Sequence, residues 1–293
     1  ETIRKVIKEA AGTPLREIIP STMGEPLMYK NFHEIITICH EYGLKLNLTT
    51  NGSFPIKGAK KWSELLVPIL SDIKISWNGA TKETHEKIMI GSKWEVVTKN
   101  LKTFLDERDN YFYTTNKRCS VTLQLTFLES NILELHDIVK MAIELGVDRV
   151  KGHHLWAHFE EIKDLSMRRD EAAINRWNTE VKKVYELRDN MLLPNGQKII
   201  LENFTVLSKE GVEDLAPGGP CPFLGKEAWV NPEGKFSPCC APDDLRKKLG
   251  NFGNVNKVKL SDIWQSSEYK SLQKNYFNHE LCKTCNMRKP LVN

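Results

Sequence analysis

The sequence predicts an α/β protein, a curled parallel sheet followed by a small cysteine-rich C-terminal domain. Three observations carry that expectation. From about residue 15 to 152, short β-branched runs alternate with helical patterns; glycines and polar residues gather where the runs end; and four of the seven cysteines fall in the C-terminal third at metal-site spacing. Helical crossovers join parallel neighbours, and right-handed crossovers curl such a sheet toward a full or partial barrel. In that architecture the chemistry sits at the C-terminal ends of the strands.

In chain order, strands are expected over residues 16–22, 44–50, 72–77, 121–127 and 147–151. Helices are expected over 29–42, 59–70, 81–108 and 132–145, with Gly43 and Gly146 placed as C-terminal caps. Residues 153–220 leave the repeat: a His-rich turn, a charged helix over 170–189, and a loop ending Pro217-Gly218-Gly219-Pro220. After Cys221 come a hairpin, 228–230 with 235–237, and a helix over 260–277. The expected division is a barrel domain over 1–152, a bridge completing the barrel mouth over 153–220, and a cysteine-rich domain over 221–293.

Composition excludes several classes. The chain has 293 residues, 40% hydrophobic and 27% charged, which argues against disorder. Lys and Arg number 42 against 38 Asp and Glu, with no positive run of five, so charge does not indicate a nucleic acid partner. There is no stretch of eighteen apolar residues and no signal-peptide pattern after Glu1, so a cytoplasmic protein without a membrane partner is expected. The odd cysteine count fits a reducing compartment. The chain opens inside an apparent amphipathic helix with no initiating Met, so a missing upstream segment is expected.

Cys282 and Cys285 form a C-x-x-C pair, able to reach one metal from one turn. Cys221 and Cys239 flank the turn Asn231-Pro232-Glu233-Gly234, and a hairpin there would bring them together. Four thiolates take either a structural zinc ion or an iron–sulfur cluster, and spacing alone does not choose. At the strand ends stand Met23-Gly24-Glu25-Pro26, Thr49-Thr50-Asn51-Gly52 and Ser76-Trp77-Asn78-Gly79, where backbone can approach a ligand and a side chain can hydrogen-bond it.

In order and separation these motifs resemble those of the radical S-adenosylmethionine (SAM) enzymes, whose fold is a partial (β/α)6 TIM-like barrel. The resemblance covers most of residues 1–152 and implies cofactor-binding roles for Gly24, Glu25, Pro26, Thr50, Asn51 and Ser76, with Gln124 a further candidate. Cys221, Gly234, Cys239, Leu249-Gly250-Asn251, Ile263-Trp264 and the C-x-x-C pair are similar to the family's SPASM and twitch auxiliary-cluster domains. A full SPASM domain would carry a cysteine where Leu291 stands, so the shorter twitch form, with one [4Fe–4S] cluster on Cys221, Cys239, Cys282 and Cys285, is expected. With this resemblance iron–sulfur is preferred to zinc.

The family's C-x3-C-x2-C loop, which binds the SAM-cleaving [4Fe–4S] cluster, is absent from this chain; Cys39 on an apolar helix face reads as packing, and Cys119 at a strand start as packing or surface. The second cluster is therefore expected on a segment missing from this chain; the alternative is a degenerate homologue, non-catalytic or zinc-bound, acting as a binding protein. Cys240 reads as a spare thiol, an alternative ligand, or a hydrogen or proton donor. His153, His154, Trp156 and His158 either meet the substrate as acid, base and stacking groups or cap the barrel. The resemblance implies a 5′-deoxyadenosyl radical that takes hydrogen from a substrate carbon, an auxiliary cluster that accepts an electron, and a reductant such as flavodoxin or ferredoxin. Oxidation of a small polar molecule and modification of a peptide both suit it.

Overall fold

The computed structural model describes residues 1–20, 24–155, 157, 159–208, 218–285 and 287–289. The chain forms two compact units, one of Arg16–Glu213 and one of Glu1–Leu15 with Asp214–Asn293. The sequence reading assigned the opening helix α1 (Thr2–Ala10) to the barrel; it groups instead with the C-terminal unit. The reason is local. Lys5 Nζ donates to the Val255 carbonyl at 2.7 Å, and Val6 packs on the apolar cluster of that unit.

The larger unit carries a six-stranded parallel sheet in chain order: β1 (Glu17–Ile18), β2 (Lys45–Thr50), β3 (Leu70–Ser76), β4 (Ser120–Phe127), β5 (Arg149–His154) and β6 (Ile200–Glu202). Helices α2 (Phe32–Tyr42), α3 (Gly58–Leu66), α4 (Lys82–Ile88), α5 (Trp94–Thr115), α6 (Leu135–Leu145) and α7 (Glu171–Asn190) supply the crossovers. Gly43 and Gly146 end α2 and α6 in the left-handed conformation, as expected of helix C-terminal glycines. Each strand alternates: Ile73, Ile75, Val121, Leu123, Leu125 and Val150 are buried on one face, while Lys74, Ser76, Thr122, Gln124 and Lys151 take the other.

Three features depart from the expected element list. The helix expected over 260–277 is two, Leu260–Gln265 and Ser267–Asn275, with Ser266 capping the second. The helix expected over 81–108 is two helices, interrupted before Trp94 by a turn in which Gly91 takes φ +85°. β6 was not anticipated, because three residues beginning with a half-exposed Ile200 give too short an alternation to detect. The expected first strand is seen only as Glu17–Ile18, and residues 21–23 lie outside the described residues.

The smaller unit contains the hairpin β7 (Trp229–Val230) and β8 (Phe236–Ser237), then α8 (Asp243–Arg246), α9 (Leu260–Gln265), α10 (Ser267–Asn275) and α11 (Glu280–Lys283). Gly234 closes the hairpin at φ +81°, where an added Cβ would stand 2.4 Å from Asn256, so both conformation and space require glycine. Its core is Phe236, Phe252, Val255, Ile263 and Tyr269.

Candidate functional site

At the C-terminal ends of β1 and β2, one carboxylate links two loops. Glu25 accepts hydrogen bonds from the Leu27 N–H at 3.1 Å, from the Thr50 hydroxyl at 2.9 Å and from the Asn51 N–H at 2.7 Å. Thr50 is buried and also accepts the Gly52 N–H at 3.2 Å. The side chains of Glu25 and Thr50 thus serve each other, fixing the loop backbones, while Gly24 and Asn51 stay exposed and Pro26 is buried in the turn that follows.

Ser76 and Gln124 stand side by side in register, and the same row continues through Lys151 to Glu202. Beneath it a polar chain that sequence reasoning missed crosses all six strands. Asn47 donates to Glu17 at 3.2 Å, Lys74 donates to Asn47 and lies 3.6 Å from Asp72, and the Thr122 hydroxyl donates to Asp72 at 2.9 Å. Arg149 lies 3.8 Å from Asp72 and 3.5 Å from Glu202, whose other oxygen pairs with Lys151 at 2.7 Å. Burial holds the Lys74 ammonium below the usual lysine range against the pull of Asp72. Alternating polar residues at even spacing were the available signal.

His153 and His154 do not converge, because successive strand residues face opposite sides. His153 shares the polar face, with Asn203 Nδ2 at 3.3 Å from its Nδ1. His154 is buried between Phe127, at 5.3 Å, and Trp177, at 4.5 Å between ring centroids. Burial lowers its pKa to about 3, which favours the neutral ring in this aromatic setting. Gly152 exists for the same packing: a Cβ there would lie 2.1 Å from the Phe127 ring. Trp156 and His158 lie outside the described residues.

In the smaller unit Cys221, Cys239, Cys240, Cys282 and Cys285 are all free thiols at intermediate burial, and none is disulfide-bonded. Burial pushes the Cys282 thiol up to about 12, with further rises from Cys239, Cys285 and Cys221; Cys285 is raised by burial and then by Cys239 and Cys221. Backbone bonds from the Gly219 N–H to Lys289 O at 2.9 Å and from the Lys289 N–H to Pro220 O at 3.0 Å bring the segment leading into Cys221 alongside the turn that carries Cys282 and Cys285. A hydrogen bond from Cys240 lowers Cys239 to about 7, and Cys240 itself is raised. The Cys239 sulfur also accepts the Ala241 N–H at 3.4 Å. Among the described residues no three His, Cys, Asp or Glu side chains stand at single-ion spacing. His279 is no ligand in this arrangement, since its Nδ1 accepts the Leu281 N–H and its Nε2 meets the Lys248 carbonyl. Among the described residues the candidate donors here are thiols, a set that both iron–sulfur clusters and structural zinc take. Cys39 and Cys119 are buried, their thiols raised by burial to about 11 and about 12, and belong to the core.

Residues 221–286 match the SPASM family model, described as an iron-sulfur cluster-binding domain; the match stops short of position 291, which lies outside the described residues, so the expected distinction between twitch and SPASM forms is not reached. The chain is 24% identical to the PqqA peptide cyclase of Methylorubrum extorquens (strain PA1), over 98% of this chain and 69% of that protein. It is 25% identical to the PqqA peptide cyclase of Methylorubrum populi, over 97% of this chain and 68% of that protein. The structure of Streptococcus suis SuiB bound to precursor peptide SuiA superposes with a TM-score of 0.64 at 16% identity, over 97% of this chain and 63% of that one. SuiB bound to S-adenosylmethionine gives 0.65. The chain thus spans less than two thirds of the SuiB chain, and the likeness establishes the fold.

Proposed function

We propose that this chain, a radical SAM protein with a SPASM domain, acts in the modification of a peptide. The observation that carries the proposal is that Cys221, Cys239, Cys282 and Cys285 are free thiols inside the segment that matches an iron–sulfur domain. The peptide is favoured over a small polar molecule because the similar proteins are a PqqA peptide cyclase and SuiB, which was solved with its precursor peptide.

When bound, SAM and the [4Fe–4S] clusters supply one-electron chemistry at a substrate carbon. The chain's own residues hold and orient. The Gly24–Pro26 segment offers backbone to the methionyl end of SAM, and the Glu25 carboxylate, tied to Thr50 and Asn51, keeps that backbone in place. Ser76 and Gln124, adjacent in register, serve the nucleoside end. Lys151 and His153, on the same face, orient the peptide and help exclude water from the reacting centre. Cys221, Cys239, Cys282 and Cys285 hold the auxiliary cluster. Flavodoxin or ferredoxin serves as the reductant.

Iron and sulfide analysis of this chain after anaerobic reconstitution tests the reading. About four irons and four sulfides per chain are expected, lost when Cys282 and Cys285 are both changed to Ser. A colourless protein holding zinc and no iron would overturn the assignment in favour of a zinc-bound binding protein.

A further inference from the structure

We propose that Arg288 is a positioning residue of the auxiliary-cluster site, clasping the two cysteine-bearing loops together and setting the redox potential of the cluster they hold. The inference rests on the quartet holding iron, as argued above. Arg288 lies three residues after Cys285, where a cation would ordinarily be a solvated helix-terminal residue. Here its guanidinium reaches in three directions. Nε donates to the Gly219 carbonyl at 2.6 Å, a terminal nitrogen donates to the Gly218 carbonyl, and the other donates to the Cys282 carbonyl at 3.4 Å. The backbone continues the clasp: the Gly219 N–H donates to Lys289 O at 2.9 Å, and the Lys289 N–H to Pro220 O at 3.0 Å. The segment leading into Cys221 is thereby fastened to the turn that carries Cys282 and Cys285.

A second path reaches the same cysteine. The guanidinium lies 5.9 Å from the Tyr276 ring centroid, and the Tyr276 hydroxyl accepts the Cys221 N–H at 3.2 Å. A rigid fork with several donors suits this arrangement; a lysine ammonium, a single point charge, cannot span it.

Charge gives Arg288 its second role. A cubane ligated by four thiolates is net negative, and nearby charge and hydrogen bonds set its potential. Arg246, the arginine that acts on Cys239, forms an ion pair with Asp243. Among the described residues the hydrogen-bond partners of Arg288 are carbonyl oxygens and no carboxylate pairs with it. Its guanidinium stands 3.4 Å from the Cys282 carbonyl, on the residue that carries one of the four sulfurs. A positive charge so placed favours the reduced, more negative cluster.

The test uses this chain reconstituted anaerobically. It contains no C-x3-C-x2-C triad, so the potential measured belongs to the quartet's cluster. R288K keeps the charge and loses the fork; R288Q loses the charge and keeps a planar amide. R288K is expected to hold the wild-type potential in an EPR-monitored titration but to release iron to a chelator several-fold faster. R288Q is expected to shift to lower potential. Tyr276→Phe, which removes the acceptor for the Cys221 N–H and leaves the charge, should release iron faster at unchanged potential. Wild-type potential and release rate in all three would overturn the proposal, as would equal losses in R288K and R288Q that merely follow their melting temperatures. If wild-type protein takes up zinc and no iron, both this inference and the cluster assignment fall; a loaded wild type with an idle Arg288 removes this inference alone.

Discussion

The two units of this molecule are stabilised by different means. The larger has buried apolar rows along five consecutive strands, with helices of up to 22 residues as crossovers. The smaller has two-residue strands, short helices and a core cluster built on Phe236, Phe252, Val255, Ile263 and Tyr269, yet it holds five of the seven cysteines. The buried cluster of the smaller unit is small, and on the proposed reading an inorganic cross-link adds to what hydrophobic packing supplies. The strongest way to break this comparison is to remove the metal. Chelation, or Cys282→Ser with Cys285→Ser, should abolish hydrogen-exchange protection through residues 221–285 and in α1 while leaving the strands β2 to β5 protected. Metal-linked folding energies of structural sites, on the order of 10 kcal/mol, set the scale of that loss. Retained protection in the smaller unit without metal would show that its apolar cluster suffices.

The larger unit should fail for a different reason, an uncompensated buried charge. Arg108 is 1% exposed and bonds Asp148 at 2.9 Å and the Gly146 carbonyl at 3.1 Å; Asp148 also accepts the Val121 N–H at 2.8 Å and an ion pair from Arg118. Arg108→Ala should cost about 3 kcal/mol, the low end of the range for a broken buried pair because Arg118 remains. Urea denaturation followed through the larger unit's tryptophans measures it. A cost under about 1 kcal/mol would mean that water replaces the guanidinium.

The same contrast explains what could be read in advance. Strands β2 to β5 and the glycines that end α2 and α6 were legible because β-branched alternation and C-terminal glycine are local signals. The Glu25 and Thr50 motifs were legible as residues, but not the bond that joins them across 25 positions. Amphipathic α1 announced that it packs without saying against what, and its partner lies some 250 residues away. The opposite facing of His153 and His154 was available from strand period alone, and pairing them as acid and base ignored it. The cysteine spacing named the quartet. No spacing rule names Arg288, whose partners are backbone carbonyls about 70 residues earlier.

Acid should sharpen the comparison further, since a buried neutral histidine belongs only to the larger unit. His154 has its pKa lowered from 6.5 to about 3 by burial. A depressed folded-state value means that the unfolded chain binds the proton first. The stabilisation from keeping His154 neutral is therefore complete above pH 6.5 and is lost as pH falls toward 3, by up to about 1.4 kcal/mol per pH unit. Burial lowers His85 and His153 as well, adding to the same slope. Glu129 and Glu202, held below the usual carboxylate range by arginine and lysine partners despite burial, contribute only below about pH 4.5. Between pH 7 and 4.5, urea midpoints of wild type should fall more steeply than those of His154→Phe, by about 2 kcal/mol in all. Parallel slopes would mean that His154 takes up its proton in the folded protein as readily as in the unfolded chain.

The smallest expected effect tests whether the loop tie at the strand ends is local. The Thr50 hydroxyl donates to Glu25 and accepts the N–H of buried Gly52 at 3.2 Å. Thr50→Val keeps the shape and removes both bonds; Glu25 retains the Leu27 and Asn51 N–H groups, so the main penalty is the Gly52 N–H left without its acceptor, about 1 kcal/mol. Because the lost groups are confined to two loops, exchange should rise at residues 24–28 and 50–53 and stay unchanged in β4 and β5. Thr50→Ser restores the oxygen and should recover most of the loss. If the serine variant loses as much as the valine variant, the hydroxyl alone does not hold these loops, and the packing of the threonine methyl is needed as well.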